Sequence, residues 1–66
     1  MNTYQVTVRR QGTSPLTLTM LVGAHTHDAA AAYAAALAER RSGGMFEAGR
    51  VRRAWFAPSA LDGVAA

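Results

Sequence analysis

Cysteine and lysine are both absent from the 66 residues, and acidic residues are few. Without cysteine the chain cannot form disulfides, thiol nucleophiles or cysteine-based zinc sites, and nothing argues for an oxidising compartment. All seven basic residues are arginine, and with four acids the formal net charge is +3. This balance permits attraction to nucleic acid or to an acidic protein surface, but it does not specify a fold.

Long apolar runs are absent too. A helix that crosses a bilayer needs roughly 18 to 20 apolar residues, which no stretch approaches, and the N-terminus lacks the basic and apolar regions of an export signal. We therefore expect a cytoplasmic protein with no membrane partner. A chain of this length makes one small domain, residues 1–66. Its core is small, because folding removes only about 60% of the surface of so short a chain from water.

Two segments near the N-terminus alternate apolar and polar residues with the period of a half-buried strand. The first runs from Tyr4 to Arg10 and the second from Leu16 to Val22. Turn-forming residues fill Gln11 to Pro15 between them, which predicts an antiparallel hairpin. Its apolar face would carry most of the core: Tyr4, Val6, Val8, Leu16, Leu18, Met20 and Val22.

The segment from Thr26 to Ser42 is rich in alanine, the residue with the highest helix propensity, and predicts the one helix. Thr26 is the expected N-cap, with Asp28 as the competing cap. The glycines after Ser42 end the helix. Helical spacing predicts that the side facing the sheet is formed by Ala29, Ala30, Tyr33, Ala34 and Leu37.

From Met45 to Ala57 apolar residues are interleaved with arginine, which predicts a third strand. Gly49 leaves three alternatives open: a bend, a bulge, or a turn that divides the segment into Met45–Ala48 and Arg50–Phe56. Residues 58–66 would form a loose tail or a short edge addition. The predicted fold is α+β, in the order β-β-α-β: a three-stranded antiparallel sheet, or four-stranded if the last segment is split, with one helix packed on one face.

Enzymatic and metal-binding interpretations find little support. His25, His27 and Asp28 have ligand chemistry, but they also suit an exposed connector in which Asp28 supports the helix start. The serines lack a nucleophile motif, the acids form no evident pair, and the glycines form no phosphate-binding fingerprint. We expect no catalytic residues, no metal and no cofactor.

Arginines and aromatics near the end of the chain are the strongest candidates for partner binding. Arginine contacts phosphates or acidic side chains, and exposed aromatic rings stack on bases or anchor protein interfaces. There are three alternatives for this segment: a protein-binding surface, a nucleic-acid-binding surface, or a solvated strand face whose arginines only keep an edge strand soluble. If alternation holds, Val51, Arg53 and Trp55 share one face of the strand. The candidate partner-binding residues are Arg50, Arg52, Arg53, Trp55, Arg9 and Arg10.

Two segments carry a family resemblance: Met1-Asn2-Thr3-Tyr4, which leads into a strand, and Leu21-Val22-Gly23-Ala24-His25-Thr26-His27-Asp28, which leads into the alanine-rich helix. This pattern resembles the small phage-encoded anti-CRISPR inhibitors of type I surveillance complexes. The resemblance implies a non-enzymatic inhibitor that docks on the RNA-guided complex and blocks target-DNA binding or nuclease recruitment. Members that imitate DNA are strongly acidic, whereas this chain is basic, so DNA mimicry is not expected.

The alternative is a small nucleic-acid-binding accessory protein of phage or bacterial origin. Both leave the oligomeric state open.

Overall fold

The computed structural model describes residues 1–65, which form a four-stranded sheet with one helix packed on one face. The predicted α+β fold is confirmed. No helix in this part of the chain is long and apolar enough to cross a membrane. The elements are β1 (Asn2–Arg10), β2 (Leu16–Ala24), α1 (His27–Ser42), β3 (Phe46–Arg53), a single 3-10 turn (Pro58–Ala60) and β4 (Gly63–Val64), with the strands in the order β3-β1-β2-β4.

The hairpin of β1 and β2 has the predicted apolar face. Tyr4 lies opposite Val22 and Val6 opposite Met20, and all four side chains are buried. Both strands are longer than the alternation indicated, because antiparallel pairing continues to Asn2 and Ala24. Placing β1 between β2 and β3 puts its apolar side chains at the centre of the core.

Both ends of α1 are capped. The Thr26 hydroxyl accepts a hydrogen bond from the backbone N–H of Ala29 at 3.0 Å, so Thr26 rather than Asp28 is the N-cap. At the other end Gly43 has φ 75° and Gly44 has φ 82°, values that favour glycine. A Cβ on Gly44 would also lie 2.7 Å from Cδ of Arg10, so a side chain there would have to displace Arg10.

Small side chains bring α1 close to the sheet. Ala30, Ala34 and Ala38 follow one another at intervals of one turn, and each has 0% exposure. Leu37 is buried beside them as predicted, whereas Ala29 and Tyr33 are only half-buried. Methyl groups along the contact allow the helix to approach the strands more closely than large side chains would.

The fourth strand comes from the C-terminal segment, and Gly49 does not divide β3. β4 pairs in parallel with β2, which makes the sheet mixed rather than wholly antiparallel. Between β3 and β4 the chain crosses from one edge of the sheet to the opposite edge beside β2. Tyr33 lies against Gly63 and leaves no space for a Cβ at that position.

Asp62 attaches this segment to the sheet. Its backbone N–H donates to the carbonyl of Leu21 at 2.6 Å, and its carboxylate accepts from the Leu21 N–H at 2.7 Å. The same carboxylate pairs with the Arg41 guanidinium at 3.0 Å. Asp62 therefore links β2 to α1 through the C-terminal segment.

We expect Asp62→Ala to lower the free energy of unfolding by about 1 to 3 kcal/mol, since it removes the acceptor of a partly buried backbone N–H. Arg41→Ala removes an ion pair between half-exposed groups and an exposed hydrogen bond to the Asp62 carbonyl, and we expect it to cost less than about 1 kcal/mol. Urea denaturation of both variants measures the difference. Equal losses would mean that the ion pair, rather than the backbone hydrogen bond, holds the segment.

Candidate functional site

The sheet face away from α1, here named the helix-free face, is largely polar. Two of the candidate arginines lie on it. Arg50 and Arg52 of β3 line a shallow depression of about 150 Å³ together with Gln5 and Thr7 of β1. All four side chains carry hydrogen-bond donors, and two of them are positively charged guanidinium groups. This arrangement suits a ligand that carries negative charge.

A β-bulge determines which way these arginines point. Val6 lies opposite Val51 and Val8 opposite Ala48, so Gly49 and Arg50 together face the single residue Thr7. Of the three alternatives for Gly49, the structure has the bulge. The extra residue allows Ala48 and Val51 both to face the core, although they are three positions apart, and leaves Arg50 and Arg52 on the helix-free face.

Arg9 lies on the same face but opposite an acid. It pairs across the strands with Glu47, whose carboxylate accepts a hydrogen bond from Gln11 at 3.3 Å. Opposite charges on directly facing positions attract each other and offset each other's field. Arg9 therefore contributes less to a positive surface than its exposure suggests.

Arg10 is on the other face of the sheet, where it contacts the end of α1. Its guanidinium Nη1 donates to the carbonyls of Ser42 at 3.0 Å and Gly43 at 3.3 Å, and its carbon Cζ lies 5.9 Å from the centre of the Phe46 ring. A cation at this position satisfies carbonyls left without helical partners. The structure thus does not bring Arg10 together with the other candidate arginines.

Trp55 lies beyond the end of β3, with 81% of its surface exposed. The alternation that placed Arg53 and Trp55 on one strand face therefore ends at Arg53. Both residues instead line an open groove of about 530 Å³, here named the Trp55 groove. Its apolar lining consists of Met1, Ala54, Trp55, Phe56, Pro58 and Leu61.

Thr3 fixes the backbone on both sides of Trp55. The Thr3 carbonyl accepts from the Ala54 N–H at 3.1 Å, and the Thr3 hydroxyl donates to the Ala54 carbonyl. The same hydroxyl oxygen accepts from the Phe56 N–H at 3.3 Å. The indole is consequently exposed to solvent on a backbone segment that is held in place.

The histidine cluster is dispersed by the structure. His25, His27 and Asp28 are exposed, and the His27 ring packs edge-on against Tyr4 with centroids 4.9 Å apart. Between residues 1 and 65 no three His, Cys, Asp or Glu side chains are grouped closely enough to hold a metal ion. His25 thus lies in the strand-to-helix connection, and His27 and Asp28 begin α1.

Sequence reasoning missed Thr3 and Leu61 as parts of the site. Thr3 directly precedes the predicted strand Tyr4–Arg10, and its partners lie 51 and 53 positions away. Leu61 was visible only as an apolar residue in a weakly patterned segment. No local signal in the sequence shows that the two converge on Trp55.

Comparison with known proteins adds no relative from which a role could be transferred. No family model, no curated protein and no solved structure matches the chain.

Proposed function

We propose that the chain is a non-enzymatic binding protein whose partner contacts Trp55 and the arginines of β3. The observation that carries the proposal is the 81% exposed indole of Trp55 on a backbone that Thr3 holds at both adjacent residues. Tryptophan and arginine are enriched among the residues that dominate binding energy at protein interfaces. A side chain on a backbone that is already held in place loses less conformational entropy when it binds.

The charge of β3 favours a partner that carries negative charge. Within residues 1–65, no carboxylate forms an ion pair with Arg50, Arg52 or Arg53. A cationic strand accelerates encounters with an acidic surface and disfavours basic ones.

The resemblance to anti-CRISPR inhibitors supplies a definite partner, a type I RNA-guided surveillance complex. In this proposal the chain acts in the cytoplasm of the host cell and obstructs target-DNA binding or nuclease recruitment by occupying the complex. Residues 1–4 and 21–28, which carry the resemblance, contribute mainly to strands and to the helix start. The proposed contacts are therefore assigned to β3 and Trp55.

A second candidate function is nucleic-acid binding, and the depression on the helix-free face favours it. There Arg50 and Arg52 lie beside Gln5 and Thr7, which are side chains that commonly contact phosphate and sugar oxygens. In this alternative the chain holds DNA or RNA without sequence preference.

Binding across a salt series separates the two functions. We expect the chain to capture a purified type I complex and to leave free DNA and RNA unbound at physiological salt. Retention of free nucleic acid that falls steeply as salt is added would favour the second function. Failure to bind or inhibit any type I complex tested would remove the inhibitor proposal.

Replacing Arg50 and Arg52 together by alanine should slow association with the complex by about tenfold at low salt, because steering by surface charge acts on the association rate. The dissociation rate should change much less. Arg40→Ala is the control, since Arg40 is an exposed arginine of α1 outside the proposed surface. Association rates that match the control would exclude Arg50 and Arg52 from the interface.

A further inference from the structure

We infer that the Trp55 groove binds a protein segment in which an apolar or aromatic side chain is flanked by acidic residues. The inference rests on the proposed function in that it takes the partner to be a protein. It adds the chemistry of the partner's contact, which the proposed function does not specify.

The apolar character of the groove extends past its rim. Met1 is 66% exposed and Val64 is 48% exposed. Both lie over Gly23 together with Leu61: a Cβ on Gly23 would be 3.2 Å from Sδ of Met1, 3.4 Å from Val64 and 3.6 Å from Leu61. This end of the helix-free face therefore has a continuous apolar surface, the kind of patch that marks interaction sites.

The size of the groove suits side chains rather than a whole domain. Its volume of about 530 Å³ lies within the range of pockets that hold small ligands, and it is open along its length. One or two apolar side chains of a partner segment fill such a space against Trp55, Phe56 and Pro58. This contact supplies the hydrophobic part of the recognition.

Charge complementarity supplies the other part. Among the described residues that line the groove, Arg53 is the only one with a charged side chain, and β3 continues from it with Arg52. No carboxylate within residues 1–65 forms an ion pair with either arginine. An aspartate or glutamate beside the inserted apolar residue would therefore meet a guanidinium at the mouth of the groove.

The same distribution disfavours a nucleic-acid strand in this groove. A strand whose base stacks on Trp55 has phosphates on both sides of that base, and tracking its backbone requires cationic side chains along the path. Among the described residues of the lining only Arg53 has a cationic side chain, whereas Met1 and Leu61 form an apolar wall over Gly23. A peptide with an apolar residue fits that wall without leaving a phosphate over it.

Trp55 reports on the groove directly because it is the only tryptophan in the chain. The probe is a short peptide with one phenylalanine between two aspartates in a glycine and serine background, which contains no tryptophan of its own. We expect titration to shift the indole emission to shorter wavelength and to reduce its quenching by acrylamide, since both follow when water is removed from the ring. Control peptides replace the aspartates by asparagine, or the phenylalanine by serine, and we expect each to bind at least tenfold more weakly.

Binding of a labelled peptide to variants of the chain locates the site, because the label does not depend on Trp55. Trp55→Ala should weaken binding at least tenfold, and Arg53→Ala by about threefold to tenfold. The matched controls Met45→Ala and Arg40→Ala remove an 83% exposed methionine and an exposed arginine outside the groove, and we expect less than a twofold effect. An unchanged emission spectrum, equal binding of the control peptides, or tighter binding of an oligothymidylate than of the acidic peptide would overturn the inference.

The same variants are then tested for capture of the surveillance complex, which separates this inference from the proposed function. Loss of capture in Trp55→Ala alongside loss of peptide binding supports both. Capture that persists without any peptide binding overturns the groove inference and leaves the inhibitor function standing. Peptide binding in the groove without capture of any complex supports the groove and contradicts the proposed partner.

Discussion

Replacing Tyr4 by alanine should lower the free energy of unfolding by about 3 to 5 kcal/mol, the usual cost of removing a buried aromatic side chain. Tyr4 is 2% exposed in the central part of the core, and its ring also packs against His27. Proteins of this size have a total stability of roughly 3 to 10 kcal/mol, so the variant should lose most of it. Thermal and urea denaturation measure the loss.

Tyr4→Phe is the matched control because it keeps the ring. Its hydroxyl takes part in one long hydrogen bond, from the Asn2 amide at 3.4 Å, so we expect a loss of less than about 1 kcal/mol. A melting temperature of Tyr4→Ala within a few degrees of the wild type would show that the core does not depend on this ring.

Enlarging Ala34 to leucine should cost about 3 kcal/mol, the upper end of the usual range for overpacking. Ala34 has 0% exposure and stands at the middle of the row formed with Ala30 and Ala38. Additional carbon atoms there must push α1 away from the sheet or take up strained rotamers. Urea denaturation again gives the change in free energy.

Ala36→Leu provides the control on the same helix. Ala36 is exposed, and the exchange is the same in chemistry and helix propensity, so we expect a change within about 0.5 kcal/mol. If both variants lost the same stability, the loss would come from replacing alanine by leucine in the helix, and close packing of α1 on the sheet would not be its cause.

The parts of the fold that the sequence predicts are those with a local cause. The alternation of Tyr4, Val6 and Val8 predicts the buried face of β1, and the hydroxyl of Thr26 predicts where the helix begins. The parallel pairing of β4 has no local cause, because its partners in β2 lie far away along the sequence. Asp62 likewise acts through Leu21, which lies 41 positions away.

The candidate surface could be predicted in composition but not in geometry. The pattern identified Arg50, Arg52 and Trp55 as candidates, and the structure brings the two arginines onto the helix-free face and exposes the indole. Arg10 looked equivalent to Arg9 in the sequence, yet it contacts the carbonyls at the end of α1. Strand alternation places such neighbours on opposite faces, but only the tertiary fold shows that α1 ends beside Arg10.

The bulge in β3 also has a consequence for how relatives of this chain should be aligned. Gly49 and Arg50 occupy one position opposite Thr7, so a chain without Gly49 would still turn Val51 to the core and Arg52 to the helix-free face. A strand one residue shorter would thus preserve both surfaces with regular pairing. A gap in an alignment therefore belongs at Gly49, because the residues on both sides of it keep their faces without it.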